Sequence, residues 1–227
     1  PFLWTGVTSD ANRCLQVNDL ESAQAFVDLM VETGMAGAKI DFWGGEDQPN
    51  LPDRGLELQQ AFVEMCAEAG LMVNFHGINE PTGMSVTYPN EITREAIRGL
   101  ENIGASGNRS YGTQARFLTR QLFTRYLAGH ADWTPDCYTA MQIASLVLID
   151  SPLNVIATDP NDILANEAVE MIKSIPTVWD QTKVLPVSEI DKLAVYAKES
   201  KGTWYVGGVY HNEAENATVE RVTFDYD

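Results

Sequence analysis

Ala36-Gly37-Ala38-Lys39-Ile40-Asp41-Phe42 and Leu71-Met72-Val73-Asn74-Phe75-His76-Gly77 decide the fold. Each is a short apolar run that ends on polar groups, and such a run reads as a strand buried on both faces. Between them a helix is predicted from about Arg54 to Ala69, with Leu58, Phe62, Met65 and Cys66 on one face and Gly70 as its stop. Upstream, Phe2 to Val7 reads as another strand. Asn18 is a fair N-cap with Glu21 three residues on, and Leu20, Ala23, Val27, Met30 and Val31 then recur at helical spacing up to Gly34. The order strand, helix, strand, helix, strand implies parallel pairing through helical crossovers.

The later chain is less regular. Ala96 to Glu101 reads as a short strand or a helix end, Arg125 to Asp132 and Pro152 to Ala157 as candidate strands, and Ile163 to Ser174 as a helix. After Pro176, alternation over Leu193 to Ala197, Thr203 to Tyr210 and Thr218 to Phe224 predicts antiparallel β structure from near residue 185, with a turn at Lys201-Gly202.

Composition bounds the function. The 227 residues are 44% apolar, which supports a sizeable core, and the length fits one domain or a little more. A formal net charge of −17 argues against nucleic acid or an anionic membrane surface as partner. No 18-residue apolar run exists, so no membrane span is expected. The start, Pro1-Phe2-Leu3-Trp4, carries neither Met nor a signal peptide, which is expected of a processed chain or a piece of a longer protein. Cys14, Cys66 and Cys137 are far apart and read as small buried apolar residues.

Four predicted segments end on groups that could do chemistry: Asp41, His76, Glu101 and Asp132. In a (β/α) barrel the C-terminal strand ends form the active face, so these side chains would converge on one pocket. Lys39 lies two residues before Asp41, on the same strand face, where its ammonium would keep Asp41 ionised as a nucleophile. Glu95 and Glu101, brought together by a change of structure at Arg98-Gly99, would suit a hard cation such as calcium. Trp4, Trp43 and Trp133 fall near strand ends, where they would serve either as sugar platforms or as core. Each position also has a plain structural reading, as loop-ordering Asp, satisfied core His or solvated helix face. No serine nucleophile elbow, phosphate loop or dinucleotide fingerprint is present.

Several stretches taken together resemble glycoside hydrolase family 97. They are Lys39-Ile40-Asp41-Phe42, Met72 to Gly77, Pro81-Thr82-Gly83, Thr87-Tyr88-Pro89-Asn90, Thr93-Arg94-Glu95, Arg98-Gly99-Leu100-Glu101, Leu127-Ala128-Gly129 with Asp132-Trp133-Thr134-Pro135, Ser151-Pro152-Leu153, and Pro176 to Asp180. Their order and spacing match from about residue 2 to 210.

The family has an N-terminal β-sandwich, a catalytic (β/α)8 TIM-type barrel and a small C-terminal β domain. The resemblance implies a chain that starts near the third barrel strand. Residues 1–184 would carry strands three to eight, and 185–227 the start of the C-terminal domain. Retaining members place a nucleophilic Asp in a Lys-x-Asp-Phe context. Inverting members lack it and carry a glutamate base after the strand-ending His. Asp41, and Gly77 after His76, look like the retaining branch. Glu101 would be the acid/base, Lys39, His76, Trp43 and Asp132 would contact substrate, and Glu95 with Glu101 would hold calcium beside a ligand from the N-terminal domain. The expected activity is a retaining α-glycoside hydrolase, most like an α-galactosidase, acting on an oligosaccharide or α-glycoside. An inverting α-glucosidase and a non-catalytic carbohydrate-binding piece are the alternatives. The resemblance also implies bacterial export, to the periplasm or beyond, and leaves the oligomeric state open.

Overall fold

The computed structural model describes residues 1–7, 16–43, 51–100 and 114–211, which fold as two compact units, Pro1–Ile97 and Arg98–Asp227.

The first unit is a four-stranded parallel sheet in the order β1 (Phe2–Gly6), β2 (Gly37–Asp41), β3 (Met72–Phe75), β4 (Glu91–Arg94). Helix α1 (Leu20–Thr33) crosses from β1 to β2, α2 (Leu51–Glu68) from β2 to β3, and the one-turn α3 (Met84–Thr87) lies between β3 and β4. The strand–helix alternation therefore holds. The cap of α1 lies one residue later than its spacing suggests. Asp19 Oδ1 accepts the Ser22 N–H at 2.8 Å, and Ser22 Oγ accepts the Asp19 N–H at 3.1 Å. That reciprocal pair satisfies two N-terminal donors, so Ser22 fills the position expected of Glu21. Gly34, at φ 70°, closes the helix in the left-handed conformation.

Ala23, Phe26, Val27 and Met30 of α1, with Phe62, Val63 and Cys66 of α2, pack on Ala38, Ile40, Val73 and Phe75 of the sheet. Burial pushes the Cys66 thiol up to about 12, which makes it inert, as expected of a core cysteine. Cys14 lies outside the described residues.

Strand β4 escapes the apolar pattern because its charges are buried and paired. Arg94 Nε donates to Glu91 Oε1 at 2.7 Å, and Arg94 Nη1 to Gln59 Oε1 at 3.1 Å. Residues three apart on a regular strand face opposite ways. Here the β3–β4 register shifts between Val73 and Asn74, which pair with Glu91 and Thr93, leaving Ile92 as an extra residue. That bulge lets Glu91 and Arg94 meet.

The second unit carries α4 (Gln114–Gln121), a 3₁₀ turn (Arg125–Ala128), α5 (Ala140–Leu148), α6 (Pro160–Leu164), α7 (Val169–Ser174) and an antiparallel sheet β5 (Gln181–Val184), β6 (Leu193–Ser200), β7 (Thr203–Tyr210). The β6–β7 turn uses Lys201 and Gly202, both at positive φ, as a tight two-residue hairpin requires. Neither 125–132 nor 152–157 is a strand. Arg125 caps its own 3₁₀ turn through Gly129 O and His130 O, and Thr134 at φ 50° leaves the extended region. Ala157 N–H donates to Pro135 O, one rung where a strand pair would need a ladder. The antiparallel segment expected from near 185 begins at Gln181, and Thr218 to Phe224 lies outside the described residues.

Candidate active site

Parallel strands of similar length bring their C-terminal ends to one rim. β2 ends on Asp41, β3 is followed by His76 and Gly77, and β4 is followed by Glu95. Backbone bonds lock these ends together: His76 N–H to Ile40 O at 2.8 Å, Glu95 N–H to Phe75 O at 2.8 Å, and Trp43 N–H to Gly77 O at 3.3 Å. The side chains of Asp41, His76 and Glu95 consequently share one buried cluster. His76 Nδ1 lies 3.3 Å from Asp41 Oδ2 and 3.5 Å from Glu95 Oε2.

Asp41 is held on both oxygens. Oδ1 accepts the Phe42 N–H at 2.7 Å, and Oδ2 the Trp4 indole N–H at 3.4 Å. Burial alone would raise its pKa. The hydrogen bond and charge of His76, then the Phe42 and Trp4 donors, outweigh that and hold the carboxyl below its ordinary value. That direction favours the ionised form, and His76 heads the groups that produce it, in the role foreseen for Lys39. Lys39 is half-buried on β2, with its Cα opposite Trp4.

Gly77 sits between the carboxylates. Its N–H donates to Glu95 Oε2 at 2.6 Å. Its φ is +55°, and a Cβ there would lie 2.7 Å from Asp41 Oδ1. A side chain at 77 and the observed carboxylate at 41 therefore compete for one space.

Trp43 is not at the rim. It is 4% exposed, its ring lies edge-on to Phe75 at 5.3 Å, and its Nε1–H donates to Ile40 O at 3.2 Å. Strand alternation would have put it beside Asp41. Phe42, at φ 58°, breaks that alternation, so Trp43 turns into the core and Phe42 turns out. Asp132 belongs to the second unit, where it is buried with Trp133 and Thr134. Glu101 lies outside the described residues.

Glu95 offers a hard carboxylate donor of the kind calcium takes. Among the described residues, though, no group of three acidic, His or Cys side chains could hold a metal ion. A cation bound at Glu95 would need further oxygens from elsewhere.

Two family models match the chain. One, described as glycoside hydrolase 97, covers residues 5–97, and the other, described as glycosyl-hydrolase 97 C-terminal, oligomerisation, covers 178–225. The chain is 29% identical over 210 residues to a retaining alpha-galactosidase of Bacteroides thetaiotaomicron, covering 83% of this chain and 30% of that protein. It is 28% identical over 210 residues to a probable retaining alpha-galactosidase of Streptomyces bingchenggensis, covering 88% and 31%. It thus spans under a third of the length of the curated relatives it matches. Among solved structures, a beta-arabinopyranosidase superposes with TM-score 0.77 at 24% identity, over 93% of this chain and 36% of the other. A family 97 enzyme of Pseudoalteromonas sp. strain K8 in complex with panose gives 0.71 at 24% identity, over 86% and 34%.

Proposed function

Because the chain belongs to glycoside hydrolase family 97, we propose that it carries part of the catalytic barrel of a retaining α-galactoside hydrolase, with Asp41 as nucleophile and Glu101 as acid/base. The observation behind this is the state of Asp41: a carboxylate at a strand end, held ionised by N–H donors, in a space that Gly77 leaves open. An inverting α-glucosidase of the family would carry a glutamate at position 77, and the space beside Asp41 has no room for one.

In this reading an Asp41 oxygen attacks the anomeric carbon while Glu101 protonates the departing glycosidic oxygen. Water, deprotonated by Glu101, then attacks the same carbon and frees Asp41. Two carboxyl groups about 5–5.5 Å apart suit that double displacement, against roughly 6.5–9.5 Å for inversion. His76 orients the Asp41 carboxylate throughout. Glu95 and Glu101 would hold calcium, whose charge would work against the protonated Glu101 that the first step needs. Calcium's part is tested by the shift in melting temperature on adding and chelating it. Residues 1–184 stand as the catalytic part and 185–227 as the C-terminal part. Export to the bacterial periplasm or secretion completes the proposal, and fractionation of cells and medium tests it.

The deciding experiment uses an aryl α-galactoside. Wild type should release the phenol, Asp41→Gly should not, and azide should restore turnover with formation of the β-galactosyl azide. Full activity in Asp41→Gly would remove Asp41 from the role. Absence of release by wild type would favour the carbohydrate-binding alternative.

A further inference from the structure

We infer that the Trp4–Phe42 pair, and not Trp43, is the apolar wall against which this site seats the pyranose ring of its glycoside; the inference rests on the reading of Asp41 above. The first unit buries Phe26, Phe62, Phe75 and Trp43 almost completely, yet leaves Trp4 40% and Phe42 41% exposed. The two rings meet edge to face, with centroids 6.3 Å apart and planes at 77°. That is a favoured aromatic geometry and makes the pair one rigid surface.

Two further observations tie this surface to chemistry. Both residues bond the same carboxylate, Trp4 through its indole N–H and Phe42 through its backbone N–H. The wall therefore stands directly beside Asp41, and a ligand whose reactive carbon meets Asp41 lies next to it. Phe42 also holds a left-handed φ of 58°, which a bulky residue rarely adopts. Such outliers persist where the surroundings enforce them, and they gather at ligand sites. At Phe42 the result is an aromatic ring aimed outward and Trp43 aimed inward. A pyranose suits this surface. Its C–H groups can lie on aromatic faces, and its hydroxyls need polar groups such as the neighbouring carboxylates and His76 offer. A wholly apolar ligand would strip the remaining water from Asp41 and give no hydrogen bond in return.

The test is saturation-transfer NMR with methyl α-D-galactopyranoside on the whole chain, alongside hydrolysis of the aryl α-galactoside. Wild type and Asp41→Gly should both show transfer to the ring C–H protons. Phe42→Leu and Trp4→Leu should bind roughly fivefold to tenfold more weakly, with circular dichroism melts verifying the fold. Trp4→Phe keeps a ring and drops the N–H, so it should bind as wild type. If that variant is as weak as Trp4→Leu, the indole acts through its hydrogen bond and the wall is wrong. Wild-type affinity in Phe42→Leu, or no transfer in wild type, overturns the inference. A chain that binds through these rings yet hydrolyses nothing keeps the wall and removes the catalytic reading.

Discussion

At the strand ends of the first unit, buried carboxylates face a histidine and backbone N–H groups. On β6 of the second unit, the 1%-exposed Lys198 donates to Ile149 O at 2.8 Å and lies over the rings of Trp179 and Tyr196, 5.4 and 6.0 Å from their centroids. Both sites take charge out of water, with opposite results. Asp41 is held below its ordinary pKa despite burial, because donors surround it. Lys198 is pulled down to about 8, because burial is the largest influence and Asp150 only partly opposes it. A carbonyl and two π faces soften the loss of water without replacing a counter-charge. Burial alone therefore marks neither group as functional. The partners decide, and they preserve charge at the rim of the parallel sheet.

Breaking a counter-charge should have the largest effect. Arg94→Met leaves Glu91 buried and alone, and should cost about 3–5 kcal/mol in urea unfolding. Adding Glu91→Leu should recover much of it, and a double variant no better than Arg94→Met would mean that packing against Phe75 matters more than charge. Lys198→Met probes the opposite case. The folded pKa lies below the unfolded 10.5, so the unfolded chain binds more protons between about pH 8 and 10.5. Wild-type stability should climb through that window relative to Lys198→Met, by about 3 kcal/mol in total. A flat difference between the two unfolding curves would mean that Lys198 is not desolvated.

Gly77→Ala sharpens the comparison at the rim. A methyl placed 2.7 Å from Asp41 Oδ1, on a backbone at φ +55°, should cost about 1–3 kcal/mol of stability. It should also lower kcat for the aryl α-galactoside more than it raises KM. Unchanged kcat would show that Asp41 has room to move. The smallest effect serves as a gauge away from buried charge. Thr139 accepts the Gln142 N–H at 3.3 Å as the N-cap of α5, so Thr139→Ala should cost about 1 kcal/mol, with no dependence on pH.

The apolar periodicity of β1, α1, β2, α2 and β3 made most of the first unit legible. Asp41, His76 and Glu95 could be found as polar residues following short strands or in a family motif. What stayed hidden has local causes. β4 carries Glu91 and Arg94, whose pairing makes burial possible but whose letters look like a solvated turn. The inward turn of Trp43 depends on one left-handed residue, Phe42, which no alternation rule anticipates. The segments at 125–132 and 152–157 have strand-like composition, yet they lack a ladder to join. Both glycine stops, Gly34 and Gly70, were readable because only backbone geometry was being asked of them.

The extra residue in β4 sets which side of the strand Glu91 takes relative to Thr93-Arg94-Glu95. Remove Ile92, and each residue before it on β4 steps along by one, so that Glu91 swaps sides and Arg94 loses its mate. A single codon's deletion, far from any reacting atom, would thus scramble the anchorage of the strand that delivers Glu95. The bulge works as a spacer in the reading frame of the rim.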